Sequence, residues 1–229
     1  MNIKNKWALI TGASRGVGKE ISKAMAAEGC NLILHSRSIE HTKQLAGELK
    51  GIKVFQIEGD LSDVSAAEKI ADEAEKLSGG LDILYNNAAI MTKYRTEYYS
   101  APADEYELSF AVNTIVPILI CNKILPKMIK REFGRVINVT SGIKDEPELT
   151  PYAVSKAALD KYVFDMAKKL EGTGVCMNLM DPGWLRTDLG GEKAPNAVES
   201  VIPGALVPVL LDEAVSGKIF HAQDYKTDL

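Results

Sequence analysis

The chain has 229 residues, of which 46% are hydrophobic and 25% charged, and it carries a formal net charge of −4. This length and composition allow a sizeable core, and the lack of a basic excess excludes a general phosphate-backbone binder, so we expect no nucleic-acid partner. The start has no apolar run of signal-peptide length, and polar residues and proline interrupt the most apolar region, 110–125. We therefore expect no membrane partner.

Short apolar runs alternate with longer segments of helical periodicity along the whole chain. The predicted strands are 7–11, 31–35, 53–58, 81–86, 135–140, 175–180 and 218–221. The predicted helices are 17–28, 39–50, 65–78, 104–131, 151–170 and 196–211. Several strands are apolar throughout, as expected when both faces of a sheet are covered. Strand–helix alternation predicts an α/β fold, a parallel sheet with helices on both faces, in one domain spanning 1–229.

Proline, threonine and glycine predict where helices begin, bend and end. Pro117 and Pro126 predict kinks or breaks within 104–131. Thr150 is expected to cap the helix that Pro151 opens, and Gly29 is expected to end the first helix.

The cysteines and histidines point to a compartment and argue against a metal centre. The three cysteines form no CxxC pair, which predicts buried thiols in a reducing, cytoplasmic protein. The three histidines are scattered, so we expect no metal site.

The segment TGASRGVG, 11–18, joins the first predicted strand to the first predicted helix. A helix start offers N–H groups and a partial positive charge, and Gly12, Gly16 and Gly18 allow a phosphate to approach the backbone closely. A glycine-rich turn alone is a weak signal, and this spacing differs from GxGxxG. A tight turn without a ligand is the alternative. The strand and helix on either side favour a phosphate-binding loop.

The end of the second predicted strand indicates which dinucleotide would bind. In dinucleotide-binding folds this point faces the adenosine ribose, and an acidic residue there selects NAD. This chain has Ser36 followed by Arg37, with no acid before Glu40. An arginine suits a 2′-phosphate, and Arg15 can approach the same phosphate from the glycine loop. Two solvated arginines are the alternative; the pair favours NADPH.

A tyrosine and a lysine open the predicted helix 151–170. Tyr152 and Lys156 are four residues apart and so share one helical face. An ammonium lowers the pKa of a neighbouring phenol, which would make Tyr152 a proton donor and acceptor. A surface pair is the alternative. Ser141 follows a strand, where open α/β sheets place ligands, and could hydrogen-bond a carbonyl beside Tyr152.

With these residues the chain resembles the single-domain short-chain dehydrogenase/reductase family along nearly its whole length. The pieces that carry the resemblance are TGASRGVG at 11–18, Asp60-Leu61, Asn86-Asn87-Ala88-Ala89, Asn113, Ser141, YAVSK at 152–156, and Pro182-Gly183 followed by Thr187. The resemblance implies a Rossmann-type doubly wound sheet of about seven strands in the order 3-2-1-4-5-6-7. It also implies a dinucleotide-binding half, 1–90, and a catalytic and substrate half, 91–229.

The resemblance also implies roles for individual residues. Tyr152 is the general acid in reduction, Lys156 lowers its pKa and holds the nicotinamide ribose, Ser141 polarises the carbonyl, and Asn113 supports a water that relays protons. The expected NADP(H) contacts are Gly12, Ser14, Arg15, Gly16, Val17, Gly18, Ser36, Arg37, Asp60, Leu61, Asn87, Ala88, Ala89, Tyr152, Lys156, Pro182, Gly183 and Thr187. A turn or cap role is the alternative for Asp60, Asn87 and Thr187, and a helix-kink role is the alternative for Asn113.

The expected substrate walls are 90–100, 142–151 and 184–203, with Met91, Ile143 and Trp184 as candidate contacts. Their apolar and aromatic residues predict a small, mostly apolar ketone, aldehyde or alcohol. The acidic stretch 145–148 disfavours an anionic partner such as an acyl carrier protein. The resemblance implies a homodimer or homotetramer, although the chain end lacks the glycine pair often seen in the family.

The expected activity is NADPH-dependent carbonyl reduction. A 3-oxoacyl thioester reductase, a nucleotide-sugar epimerase or dehydratase, and a non-catalytic NADP(H)-sensing protein are the alternatives. Epimerases and dehydratases usually carry a substantial C-terminal substrate domain, whereas few residues follow Thr187. A sensor would need the cofactor site but not Ser141, Tyr152 and Lys156.

Overall fold

The computed structural model describes residues 1–225; residues 226–229, included in the predicted domain, lie outside the described part. Seven parallel strands form a single sheet: β1 (Trp7–Ile10), β2 (Asn31–Ser36), β3 (Val54–Glu58), β4 (Ile83–Asn86), β5 (Gly134–Val139), β6 (Val175–Asp181) and β7 (Ile219–His221). Their order is β3-β2-β1-β4-β5-β6-β7. The α/β class and the strand order are both confirmed.

The helices cover both faces of this sheet. They are α1 (Gly16–Ala27), α2 (Glu40–Glu48), α3 (Ala66–Ser78), α4 (Ala103–Phe110), α5 (Val116–Lys130), α6 (Thr150–Lys169) and α7 (Val207–Leu210). Successive strand residues point to opposite faces, so Leu9 belongs to one buried cluster and Ile10 to the other. The first cluster takes side chains from α3, α5 and α6, and the second from α1, α2 and α7.

The predicted helix 104–131 is observed as one continuous helical run, Ala103–Lys130. The breaks predicted at its prolines are not present. Residues Ala111–Ile115 form a π-helical turn between α4 and α5. Pro117 lies just after this π-helical turn, and Pro126 lies within α5. The run is long and apolar enough to cross a membrane by length and composition. Here it packs as a core helix, with Ile120 and Ile124 fully buried.

The predicted helix 196–211 is wrong. The chain forms two short 3-10 turns, Val198–Val201 and Gly204–Leu206, before the four-residue α7. The physical reason is Pro203, which has no N–H to donate and disfavours helical backbone in the residue before it. Ile202 is accordingly extended, with φ −99° and ψ 138°.

The predicted cap of α6 is also wrong. Thr150 is itself helical, and Leu149 is the residue that precedes the helix. The Thr150 hydroxyl donates to the carbonyl of Pro147, 2.6 Å away, because a 3-10 turn over Pro147–Leu149 leads directly into α6. The end of α1 is as expected, with Gly29 at φ +77°.

Candidate active site at the carboxyl edge of the sheet

Most of the sequence motifs follow strand ends on one edge of the sheet, whereas YAVSK lies in α6 and Asn113 lies in the π-helical turn. The glycine loop 11–18 follows β1, residues 36–37 close and follow β2, and residues 60–61 come shortly after β3. Residues 87–90 follow β4, Ser141 follows β5, and 182–187 follows β6. Because all seven strands are parallel, these segments meet at the carboxyl edge, where open α/β sheets bind ligands.

Glycines are required for the close fit of the loop after β1. Gly12 and Gly16 have φ of +65° and +56°, a region that favours glycine. A methyl group on Gly12 would lie 2.9 Å from the Cα of Ala88, and one on Gly18 would lie 2.4 Å from the Gly12 carbonyl oxygen. The loop leads directly into the N-terminus of α1, and the dipole of this helix favours an anion there.

The segment after β4 holds the glycine loop in place. The Asn87 side-chain amide donates to the carbonyl oxygens of Thr11 and Gly12 at 2.8 and 3.2 Å. In return, the Thr11 hydroxyl oxygen accepts from the backbone N–H groups of Asn87 and Ala88 at 3.0 and 3.1 Å. Asn87 thus takes a structural role here. Sequence reasoning missed Thr11, although it opens the glycine motif.

His35 is a second residue that sequence reasoning missed. Its Nδ1 accepts from the Gly12 N–H at 3.4 Å, and its Nε2 donates to the Gly59 carbonyl at 3.1 Å. Burial lowers the pKa of His35 to about 4, so the ring is neutral at pH 7 and can accept through Nδ1. His35 therefore ties together the chain segments after β1 and β3. Its position at the end of β2, next to Ser36, was the available signal.

The predicted ribose-phosphate region contains two exposed arginines, each near a carboxylate. Arg15 Nη1 lies 2.9 Å from Asp188 Oδ2. Arg37 acts electrostatically on Asp60, whose pKa is lowered chiefly by the backbone N–H of Ser62. Asp60 Oδ1 accepts from that N–H at 2.9 Å and from the Ser62 hydroxyl at 2.8 Å, so Asp60 does serve as a turn residue.

Other residues predicted to contact the cofactor are buried or half-buried, or they form hydrogen bonds with residues close to them in sequence. Ser36 is buried, and its hydroxyl donates to the Ser38 carbonyl at 2.6 Å. Leu61 belongs to the core cluster with α3 and α5. Ser14 and Val17 are half-buried in the glycine loop and the first turn of α1.

Three of the four predicted catalytic side chains, Ser141, Tyr152 and Lys156, come together where β5 and α6 meet. Tyr152 is buried, and the pKa of its phenol is raised by burial although a hydrogen bond with the Ser141 hydroxyl lowers it. Lys156 is buried one turn along α6, and its Nζ donates to the Val139 carbonyl at 2.8 Å. Burial lowers the pKa of Lys156 to about 8.

The raised pKa of Tyr152 is opposite to the direction predicted from Lys156. The Lys156 Nζ points to Val139 and lies 6.0 Å from the centre of the Tyr152 ring. The negative charges of Asp181 and Asp160 also raise the pKa of Tyr152. Burial and these two carboxylates come from the tertiary structure, so spacing within α6 could not reveal them.

Asp160 and Asp181 are acidic residues that sequence reasoning missed. The Thr140 hydroxyl donates to Asp160 Oδ1, which places this carboxylate at the end of β5, and the charge of Asp160 raises the pKa of Lys156 against the effect of burial. Asp181 ends β6, and its Oδ1 accepts from the Gly183 N–H at 2.9 Å. Asp160 could have been found from its position one turn after Lys156.

Asn113 lies in the π-helical turn and is fully buried. Its Oδ1 accepts from the Ile90 N–H and its Nδ2 donates to the Ile90 carbonyl, both at 2.9 Å. Nδ2 also donates to the Ser155 hydroxyl at 3.0 Å. Asn113 therefore fastens the segment after β4 to α6, and its proposed role in a proton relay stays a prediction.

The candidate substrate residues lie in the segments that follow β4, β5 and β6. Met91 and Ile143 are half-buried, whereas Trp184 is 58% exposed and its Nε1 donates to the Gly190 carbonyl at 2.8 Å. The segment after β6 is held by a hydrogen bond from Gln223 Nε2 to the Pro182 carbonyl at 2.8 Å. Ala89 is half-buried beside Ala88 at the end of β4.

Comparisons with known proteins agree with this architecture. The sequence model described as short chain dehydrogenase matches residues 6–197. A short chain dehydrogenase of Pseudocercospora fijiensis is 35% identical over 82% of this chain, which spans 62% of that protein's length. A 3-oxoacyl-[acyl-carrier-protein] reductase of Aquifex aeolicus is 31% identical over 82% of this chain and 77% of its own.

A solved structure shares the whole fold. A metagenomic short-chain oxidoreductase in complex with NADP superimposes with a TM-score of 0.81 at 25% identity, over 96% of this chain and 99% of its own. The chain belongs to the short-chain dehydrogenase family, a family of oxidoreductases. The resemblance drawn from the motifs is thereby confirmed.

Proposed function

We propose that this protein is an NADPH-dependent reductase of small, mostly apolar ketones and aldehydes, acting reversibly on the corresponding alcohols. The observation that carries the proposal is the cluster of half-buried Ser141 with buried Tyr152 and Lys156, at the same edge of the sheet as the glycine loop. Because the pKa of Tyr152 is raised, its phenol is protonated at neutral pH and can serve as a general acid.

The residues at the carboxyl edge fit a dinucleotide. Gly12 and Gly18 leave no room for a methyl group against Ala88 and the loop backbone, and the loop ends at the N-terminus of α1. Arg15 and Arg37 are exposed at the two positions predicted for a 2′-phosphate. A related short-chain oxidoreductase was solved with NADP bound, which supports the same cofactor here.

The bound nicotinamide would supply the hydride, and the chain's own residues would manage the oxygen and the proton. The Ser141 hydroxyl donates a hydrogen bond to the carbonyl oxygen and so favours negative charge there. The Tyr152 O–H gives its proton to that oxygen as the C–H bond forms, which leaves an alcohol and a phenolate. Lys156 lies one turn along α6 with its Nζ on the Val139 carbonyl, and a turn of this ammonium toward Tyr152 would stabilise the phenolate.

The buried ammonium of Lys156 beside Tyr152 argues against a non-catalytic sensor. A buried ammonium destabilises the folded state unless it is well paired, and the lowered pKa of Lys156 shows this effect. A sensor could still use Lys156 as a ribose contact, but it would not need, one turn away, the Tyr152 phenol hydrogen-bonded to the Ser141 hydroxyl. We infer that the three residues together serve proton transfer.

A second candidate is reduction of a 3-oxoacyl thioester, which the Aquifex aeolicus relative favours. The stretch 145–148 argues against it, because Asp145 and Glu146 are exposed beside Ser141 and would repel an acidic carrier protein. The proposed substrate is therefore a neutral carbonyl compound that contacts Met91, Ile143 and Trp184. A homodimer or homotetramer in the cytoplasm is part of the same proposal.

The test is a panel of neutral ketones, aldehydes and carrier-bound 3-oxoacyl thioesters, followed by NADPH oxidation with NADH in parallel. We expect turnover of neutral carbonyls, higher kcat/KM with NADPH, and a loss of about 10²-fold or more in kcat for Tyr152→Phe with NADPH still bound. Tyr162→Phe, elsewhere on α6, is the matched control. Unchanged kcat in Tyr152→Phe would falsify the proposed mechanism, and preferred turnover of the carrier thioester would favour the second candidate.

A further inference from the structure

The glycine loop touches the segment that follows β6. A methyl group on Gly16 would lie 3.6 Å from Thr187 Cγ2, at ordinary contact distance. Next to Gly16, the guanidinium of Arg15 is 2.9 Å from the carboxylate of Asp188. The two side chains are 69% and 73% exposed, so both are open to an incoming ligand. The arginine predicted to bind a phosphate is therefore already paired with an anion.

The turn that carries Asp188 is held by its own hydrogen bonds. The Gly190 N–H donates to the Thr187 hydroxyl oxygen at 3.1 Å, and the Gly191 N–H donates to the Thr187 carbonyl at 2.8 Å. Trp184 Nε1 closes the same turn on the Gly190 carbonyl at 2.8 Å. The backbone of Asp188 is thus fixed opposite Arg15, and less conformational entropy is lost when the two side chains pair.

We propose that Asp188 is a specificity-determining residue that competes with the 2′-phosphate of NADP(H) for Arg15. This rests on the proposed assignment of Arg15 to that phosphate. A guanidinium binds a carboxylate and a phosphate through the same planar set of N–H donors. Binding NADP(H) therefore requires Arg15 to leave Asp188, or brings two anions to one cation.

The competition acts on one cofactor and not on the other. NADH has a 2′-hydroxyl in place of the phosphate, so the Arg15–Asp188 pair can persist when NADH binds. Asp188 then weakens the binding of NADPH. It therefore reduces the preference for NADPH over NADH that Arg15 and Arg37 create. Because both partners are exposed, the effect is about two- to fivefold in the dissociation constant, and salt reduces it.

The test measures dissociation constants of NADPH and NADH by calorimetry for the full-length protein and for Asp188→Asn, at low and high salt. We expect the ratio of the NADPH to the NADH constant to fall about two- to fivefold in Asp188→Asn at low salt, and less at high salt. Glu192→Gln is the matched control, since it removes one negative charge from the same segment but keeps the Arg15–Asp188 contact.

A second pair of variants separates this inference from the proposed cofactor preference. We expect the double variant Arg15→Ala/Asp188→Asn to have the same ratio of NADPH to NADH dissociation constants as Arg15→Ala alone. If Arg15→Ala does not weaken NADPH relative to NADH, the phosphate assignment and the competition both fail. If Arg15→Ala weakens NADPH but Asp188→Asn leaves the ratio at the wild-type value, or Glu192→Gln changes it equally, the competition alone is overturned.

Discussion

Lys156 shows how a single residue acquires its chemistry from its surroundings. In the unfolded chain its ammonium is solvated, with an ordinary pKa of 10.5, whereas burial lowers the folded value to about 8. At pH 7 both states are protonated, and the buried charge destabilises the folded state by about 3 kcal/mol, from 1.36 kcal/mol per pKa unit. Between pH 8 and 10.5 the folded state releases its proton first, so this residue's contribution to stability rises with pH.

The prediction at this scale concerns Lys156→Met, which keeps the volume and removes the charge. We expect its Tm to exceed that of the wild type by several degrees at pH 7, and the difference to shrink as the pH rises to 10. Calorimetry across this pH range checks it. Lys161→Met, at an exposed lysine of α6 paired with Asp165, is the control and should give a small difference. A Lys156→Met difference that does not change with pH would contradict the assigned cause.

At the scale of elements, the turn between β1 and α1 depends on the segment after β4. Gly18 lies in α1, where a methyl group would meet the Gly12 carbonyl at 2.4 Å and the Asn87 side-chain nitrogen at 2.5 Å. Both groups belong to the hydrogen bonds that hold the loop. The third glycine of the motif is therefore required by close packing of the helix on two loops.

We predict that Gly18→Ala destabilises the protein by about 1–3 kcal/mol, because either the helix or the loop must move, and that it weakens NADPH binding. Gly47→Ala is the matched control: Gly47 lies within α2, where a methyl group meets open space. It should stabilise the protein by about 0.5–1 kcal/mol through helix propensity. Urea unfolding measures both, and a stable Gly18→Ala with unchanged NADPH affinity would count against the packing explanation.

The elements themselves were predictable where their signal is local. All seven strands follow from apolar runs, and Gly29 follows the end of α1 as predicted. The π-helical turn at Ala111–Ile115 has no such signal, since its place follows from the bonds between Asn113, Ile90 and Ser155. The helix predicted over 196–211 is interrupted by a local cause, because Pro203 disfavours helical backbone at Ile202.

At the scale of the whole molecule, exposed apolar side chains lie on two neighbouring helices. Ile115 precedes α5, and Val154 and Phe164 lie on α6; all three are exposed. The long run from α4 to α5 is apolar yet packs by one face onto the core. We expect these side chains to be the apolar surface through which the proposed homo-oligomer forms.

We expect Phe164→Lys combined with Ile115→Lys to lower the mass measured by light scattering from that of a dimer or tetramer, since a charge in an apolar interface is unfavourable. Val64→Lys is the control, because Val64 is equally exposed but lies before α3. A double variant with the mass of the wild type would rule out this face as the interface.

The sequence by itself determined the class of fold and, through the family resemblance, the order of the strands. It also singled out Ser141, Tyr152 and Lys156 as the predicted catalytic residues, because apolar periodicity and motif spacing are local properties of the chain. Only the tertiary structure decided the protonation of Tyr152 and Lys156 and the pairing of Arg15 with Asp188. The physical reason is that burial and neighbouring charge come from segments distant in sequence, which meet only when the parallel strands align their carboxyl ends.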